Sequence, residues 1–209
     1  MERLRFVVLV PVKDPDVGKS RLQVPAHLRP GLASAFALDT VHAARDSDLV
    51  AEVVVVTHDA GFADVVSDLG FRHLDDVSDG LNASLVAAAE AVREQHPQAR
   101  PVALCGDLPS LRAPDLTAAL RAMPDEAAAY VADADGTGTT LYAASYDSFE
   151  PQFGRGSAAA HAGAGAIAIG GELPTLRRDV DDETSLAAAL RLRVGRFTQD
   201  VVPVLGAGA

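Results

Sequence analysis

The chain has 209 residues, 48% of them hydrophobic, enough for one sizeable core. Its formal net charge of −11 excludes a general nucleic-acid surface, because phosphate backbones are held by basic stripes; a small phosphorylated ligand stays open where cations cluster or a metal screens the charge. One cysteine gives no disulfide framework, and the sequence shows neither a secretory leader nor an apolar run near ~18 residues, so a single cytoplasmic domain over residues 1–209 with no membrane partner is expected.

Residues 6–12, Phe-Val-Val-Leu-Val-Pro-Val, read as a first buried strand. Next comes Lys13-Asp14-Pro15-Asp16-Val17-Gly18-Lys19-Ser20-Arg21-Leu22, a loop dense in turn residues that holds both lysines of the chain. Such a loop after strand one of an α/β fold suits phosphate binding, although the Walker A spacing is absent; a solvated surface loop is the bland alternative. Helical spacing runs from His27 to Arg45, then a strand covers Val53 to Thr57, and a helix runs from Asp59 to Leu69, closed by Gly70. Phe71 to Leu74 is a short strand, an acidic loop covers Asp75 to Gly80, and an alanine-rich helix opens at Leu81 and runs to about Gln95. Asn82 and Ser84 near its start serve either as caps or as readers of a base or ribose.

Val102-Ala103-Leu104-Cys105-Gly106-Asp107-Leu108-Pro109 ends an apolar strand, begun at Pro101, on a glycine and a carboxylate. Asp107 is either the cap of the next helix, Ala113 to Met123, or a ligand at the carboxyl end of a parallel strand. The order β-α-β-α-β-α-β-α with unbroken apolar strands predicts an α/β fold whose mostly parallel sheet is covered on both faces. Beyond it, strands are expected over residues 127–132 and 139–144, joined by an Asp/Gly-rich turn, and a short helix ends near His161. Residues 163–169 are expected to be flexible, 176–181 extended, and a last helix starts at Asp182 or Glu183; the tail from Val194 is expected to pack loosely. The cationic loop, Asp107 and the late carboxylates Asp179, Asp181 and Asp182 form the set needed for nucleotidyl transfer. Two carboxylates hold Mg²⁺ while cations steady the triphosphate.

Val12-Lys13, Lys19-Ser20-Arg21-Leu22, Gly80-Leu81-Asn82-Ala83, Gly106-Asp107-Leu108-Pro109, Gly136-Thr137-Gly138-Thr139, Phe153-Gly154 with Ser157, and Asp179-Val180-Asp181 stand in the order found in the guanylyltransferases of coenzyme F420 biosynthesis. Over roughly residues 6–192 the chain resembles this CofC/FbiD family, which takes phosphoenolpyruvate or 2-phospho-L-lactate as acceptor. The resemblance implies a Rossmann-like nucleotidyltransferase sandwich of the nucleotide-diphospho-sugar transferase type, with a mostly parallel, partly mixed central sheet. It implies a Mg²⁺ site at Asp107, Asp179 and Asp181, and an acceptor site at Thr139, Gly154 and Ser157. GTP would then lie against Lys13, Lys19, Arg21, Asn82 and Ser84, with Lys19, Arg21 and Asp107 catalytic. The implied partners are GTP and a phosphorylated three-carbon acid, with phosphoenolpyruvate favoured over 2-phospho-L-lactate or 3-phosphoglycerate. A downstream transferase of the same pathway and a second copy of the chain complete the set. The segment Ser157-Ala158-Ala159-Ala160-His161 lacks the arginine that some relatives carry before the histidine. Against a molybdenum-cofactor or sugar-phosphate nucleotidyltransferase, the first loop lacks the Gly-Gly-x-x-x-Arg-Met arrangement of those relatives.

Overall fold

The computed structural model describes residues 5–12, 22, 24–76 and 79–206, so the expected cationic loop with Lys13, Lys19 and Arg21 lies outside the described residues. In chain order the first half comprises β1 (Phe6–Pro11), α1 (Arg29–Arg45), β2 (Val50–Thr57), α2 (Ala60–Asp68), β3 (Arg72–Asp75), α3 (Leu81–Arg93) and β4 (Arg100–Leu104). The second half comprises α4 (Ala113–Arg121), β5 (Ala129–Ala132), β6 (Thr139–Ala143), α5 (Ser157–Gly163), β7 (Ile167–Ala168), α6 (Glu183–Arg191) and α7 (Arg196–Gly206). Short 3-10 turns cover Ala26–Leu28 and Tyr146–Ser148.

The strands form one sheet in the order β3-β2-β1-β4-β6-β5-β7. β1 runs parallel to both β2 and β4, and β6 runs antiparallel to both β4 and β5. Because side chains alternate across a strand, the apolar runs feed two cores at once. Val8, Val10, Val55, Val102 and Leu104 face α1, α2 and α4, while Val7, Leu9, Val54, Ala103 and Tyr142 face α3 and α5. The chain order reverses between β1 and β4, so a crevice opens beyond their carboxyl ends, where open α/β sheets place ligands. Inversion of β6 brings its beginning, Thr139, to that same edge, and β5 delivers Asp133 there too.

Two expectations are corrected. Residues 163–169, expected to be flexible, contain β7, whose residues pair with β5 through Ile167 and Ala168. The tail, expected to pack loosely, forms α7 against α1. Its anchor is Asp39 of α1, 6% exposed, whose carboxylate accepts the Phe197 N–H at 3.0 Å and the Thr198 N–H at 2.9 Å. A negative charge at the first turn satisfies donors that the helix itself cannot pair and opposes its positive dipole end. Burial pushes the Asp39 carboxyl above its usual range, against the pull of those donors. The tail reads as having no strong pattern, and the partner that orders it is an acidic residue 158 positions away, which no local pattern reveals. Residues 176–181, expected to be extended, belong to no strand among the described residues and are held by Arg177 and the buried Val180. No helix among the described residues is long and apolar enough to cross a membrane.

Replacing Asp39→Ala strands one buried and one half-buried N–H group. Urea denaturation should show a loss of about 1–3 kcal/mol, with amide exchange accelerated first in α7; unchanged stability would mean that the carboxylate does not hold this helix.

Candidate active site

β4 ends at Leu104, and α4 starts at Ala113 with Arg112 at its N-cap, so Asp107 caps no helix. The turn between them is shaped by close approach. A Cβ on Gly106 would stand 3.1 Å from the Pro11 carbonyl and 3.3 Å from a Val10 methyl, so glycine lets the β4 exit pass close to the β1 end without pushing it aside. Thr40 of α1, fully buried, fixes the far side of the turn: its Oγ1 accepts the Leu108 N–H at 3.1 Å and donates to the Phe36 carbonyl at 2.8 Å. Asp107 is thereby held over the crevice by the backbone on both sides.

The late carboxylates arrive by a different route. Arg177 donates through Nη1 to the Ala132 carbonyl at 2.9 Å and through Nη2 to the Ile169 carbonyl at 2.8 Å, which clamps the segment across the ends of β5 and β7. Its own carbonyl accepts the Ala134 N–H at 2.8 Å. Val180 is fully buried among Leu32, Phe36, Leu186 and Ala189, and its N–H donates to the Asp107 carbonyl at 3.1 Å. That bond ties the acidic segment to the Asp107 turn. Asp182 is committed elsewhere: it caps α6 in a reciprocal capping box with Ser185. Burial and the negative charges of Asp107, Asp181 and Asp133 push the Asp179 carboxyl up to about 7. Asp133 reads in the sequence only as a turn residue. Its carboxylate accepts the Thr137 and Gly138 N–H groups at 2.9 and 2.7 Å, and a Cβ on Gly138 would overlap it. Among the described residues no three His, Cys, Asp or Glu side chains form a ready-made metal cage.

On the far side of the crevice Thr139 and Ser157, expected at the acceptor, are both buried, and they share one neighbour, His161. Thr139 Oγ1 lies 3.0 Å from His161 Nδ1, and the His161 Nε2 accepts the Gln152 N–H at 2.9 Å. Gly154, at φ 137°, and Gly156, at φ 74°, turn the chain from that loop into α5 in the left-handed half of backbone space. The Thr139 carbonyl accepts from Cys105 Sγ at 3.3 Å, and the Thr140 carbonyl accepts the Cys105 N–H at 2.9 Å, so this side abuts the Asp107 turn directly.

Asn82 and Ser84 have partners inside the protein. Asn82 exchanges two hydrogen bonds with the Phe153 backbone, donating at 3.1 Å and accepting at 2.8 Å, and so ties α3 to the Gly154 loop. Ser84 is buried; it donates to the Gly80 carbonyl at 2.9 Å and stands against the Asp76 carboxylate. Of the expected site, the structure brings Asp107, Asp179 and Asp181 to one neighbourhood and Thr139, Ser157 and the Gly154 loop to another beside it. Thr40, Arg177 and His161 do the positioning. Only His161 had a signal in the sequence, since Thr40 and Arg177 act through backbone carbonyls and N–H groups that leave no motif.

This fold is shared with nucleotidyltransferases. A nucleotidyl transferase from Methanothermobacter superposes with a TM-score of 0.62 over 96% of this chain and 99% of its own, at 17% identity. A Mycobacterium tuberculosis protein solved as a complex with manganese superposes with a TM-score of 0.56 over 90% of this chain and 98% of its own, at 19% identity. No family model matches the chain. Sequence relatives carry the assignment further. The phosphoenolpyruvate guanylyltransferase of Thermomonospora curvata is 45% identical, with 93% of this chain and 87% of the relative covered. That of Streptomyces scabiei is 43% identical over 93% of this chain and 94% of its own. The chain belongs to the phosphoenolpyruvate guanylyltransferase family and is an enzyme of the nucleotidyltransferase class.

The crowding of carboxylates sets a stability prediction. Asp179 keeps its proton in the folded state up to about pH 7, against a reference value of 3.8. The folded state therefore holds a proton that the unfolded chain has lost, and stability falls as pH rises through that window. In chelator, Asp179→Asn should melt higher than the parent at pH 8 and equal to it below pH 4; a variant that melts lower at pH 8 would show that burial and the neighbouring carboxylates do not penalise the ionised group.

Proposed function

We propose that the protein transfers GMP from GTP to phosphoenolpyruvate, giving enolpyruvyl-diphospho-5′-guanosine and pyrophosphate, within coenzyme F420 biosynthesis. The observation that carries this reading is the Val180 N–H bond to the Asp107 carbonyl, which sets two carboxylate-bearing segments together at the mouth of β4. The family's name supports guanylyl transfer and the acceptor. A phosphate oxygen of the acceptor attacks the α-phosphorus of GTP in line, the bond to the bridging oxygen breaks, and pyrophosphate leaves with the charge.

Asp107 and Asp179, with Asp181 beside them, suit a hard divalent cation, Mg²⁺. The donors are all oxygen, and Asp179 is raised by burial and by the negative charges of Asp107, Asp181 and Asp133, which a cation would offset. With fewer than three converging side-chain ligands, the remaining positions fall to phosphate oxygens and water. When bound, the cation supplies charge neutralisation on the α-phosphate and the leaving group. The neighbour solved with manganese supports the choice of a divalent ion. Thr139, Ser157 and the backbone around Gly154 hold the acceptor's anionic groups beside the Asp107 turn. Lys13, Lys19 and Arg21 come after β1 in sequence and are assigned to the triphosphate, whose charge they offset. Asn82 and Ser84 contribute by fixing the loops they bond.

Pyrophosphate release with Mg²⁺ tests the whole reading. Release is expected with GTP and phosphoenolpyruvate together, and less with ATP, 2-phospho-L-lactate or 3-phosphoglycerate. Asp107→Asn should lower the rate by roughly two orders of magnitude or more while stability moves by about 1 kcal/mol or less. Failure of every acceptor and nucleotide to support release would end the reading.

A further inference from the structure

His161 has no assigned part in the transfer, yet one imidazole joins the three pieces of the acceptor side. It is fully buried, stacked on Tyr142 with ring centroids 4.6 Å apart at 19° and on Tyr130 at 5.7 Å and 26°. The edge of Phe153, in the loop before Gly154, meets it at 5.6 Å and 79°. The ring therefore has one orientation and no room to swing.

Hydrogen-bond direction is set by its partners. The Gln152 N–H can only donate, so His161 Nε2 must present a lone pair. In a neutral ring the proton then sits on Nδ1, whose neighbours are the Ser157 carbonyl, one turn back in α5, and Thr139 Oγ1. Burial holds the imidazole below its usual range, in keeping with a neutral ring. A protonated Nδ1 cannot accept from Thr139. The one Nδ1–H proton faces the Ser157 carbonyl and the hydroxyl oxygen, both acceptors toward it, and the hydroxyl proton is left to donate elsewhere. A hydroxyl committed as a donor is what an anionic acceptor group requires; one whose proton was taken up by the protein would present a lone pair and repel it.

We propose that His161 is a positioning residue for the acceptor: as the neutral Nδ1–H tautomer it fixes the Thr139 hydroxyl as a donor to the bound anion. This rests on the placement of the acceptor at Thr139, Gly154 and Ser157. A histidine that merely fills the core would have its polar atoms satisfied too. It would not couple to acceptor binding through one particular hydroxyl.

Two isosteric changes separate the edges of the ring. Asn at this position keeps a donor near Nδ1, and Gln keeps an acceptor near Nε2. His161→Asn should leave the acceptor KM within a few-fold of the parent, whereas His161→Gln should raise it about tenfold or more, with the KM for GTP unchanged in both. In a Thr139→Val background, which removes the hydroxyl, His161→Gln should add less than about twofold. Equal effects on both substrates, or effects that multiply in the double variant, would overturn the proposal. ¹⁵N NMR of histidine-labelled protein supplies a readout independent of turnover: the His161 resonances should report a neutral Nδ1–H tautomer without substrate. A protonated or Nε2–H ring would sink the positioning role even in a fully active enzyme. If the tautomer is as expected but no acceptor supports turnover, the assigned reaction is at fault, and the acceptor role falls with it.

Discussion

The hydrogen bond from the Val180 N–H to the Asp107 carbonyl, 3.1 Å long, is the contact on which the arrangement of the site depends. Asp107 and the Asp179–Asp181 segment are far apart in the chain and belong to different loops. Neither lies on a strand or helix that would fix its position by ladder or periodicity. That backbone bond sets their register, and Val180, sealed among Leu32, Phe36, Leu186 and Ala189, keeps it in place. Fully burying such a side chain is worth about 1.5–3 kcal/mol, which works against the mutual repulsion of the carboxylates. The chain thus holds together charges that would separate if free. Arg177 and Thr40 extend the same logic, each fixing a loop from behind by bonding main-chain groups.

The sheet supplies the second half of the design. The parallel strands carry their carboxyl ends to one edge, which alone would leave the neighbouring positions to helix starts. Because β6 is antiparallel to β4, the strand begins rather than ends beside Asp107, and Thr139 arrives without a long connection. The inversion places a buried hydroxyl and a left-handed glycine turn beside the carboxylates. The enzyme has little covalent chemistry to perform in such a transfer. Position and charge are what the fold has to provide.

Much of this is legible in the sequence where it rests on composition along a strand. The runs at 6–12, 53–57 and 101–107 name the central strands because residues buried on both faces leave no polar interruption. The pairing of Asp107 with Asp179 and Asp181 comes from the order and spacing of short motifs shared with a family, and the structure supplies the contact that explains it. The features that escape the sequence are those decided by tertiary partners. The tail, which reads as patternless, folds as α7, and its docking depends on Asp39 in α1. β7, only two residues long, exists because β5 offers an open edge. Asn82 reads as a base or ribose contact, yet its amide matches the Phe153 backbone in both directions, a fit that becomes visible only when the loop is in place.

Titration of the protein–GTP complex with Mn²⁺, monitored by the loss of free-ion paramagnetic resonance, tests most directly whether the tethered carboxylates act as one site. One ion per chain should bind, Asp107→Asn and Asp179→Asn should each weaken it by about tenfold or more, and the double variant should lose less than the product of the two. Binding as tight as the parent's in either single variant, or fully multiplicative losses in the double, would contradict a shared ion and with it the role given to the Val180 tether.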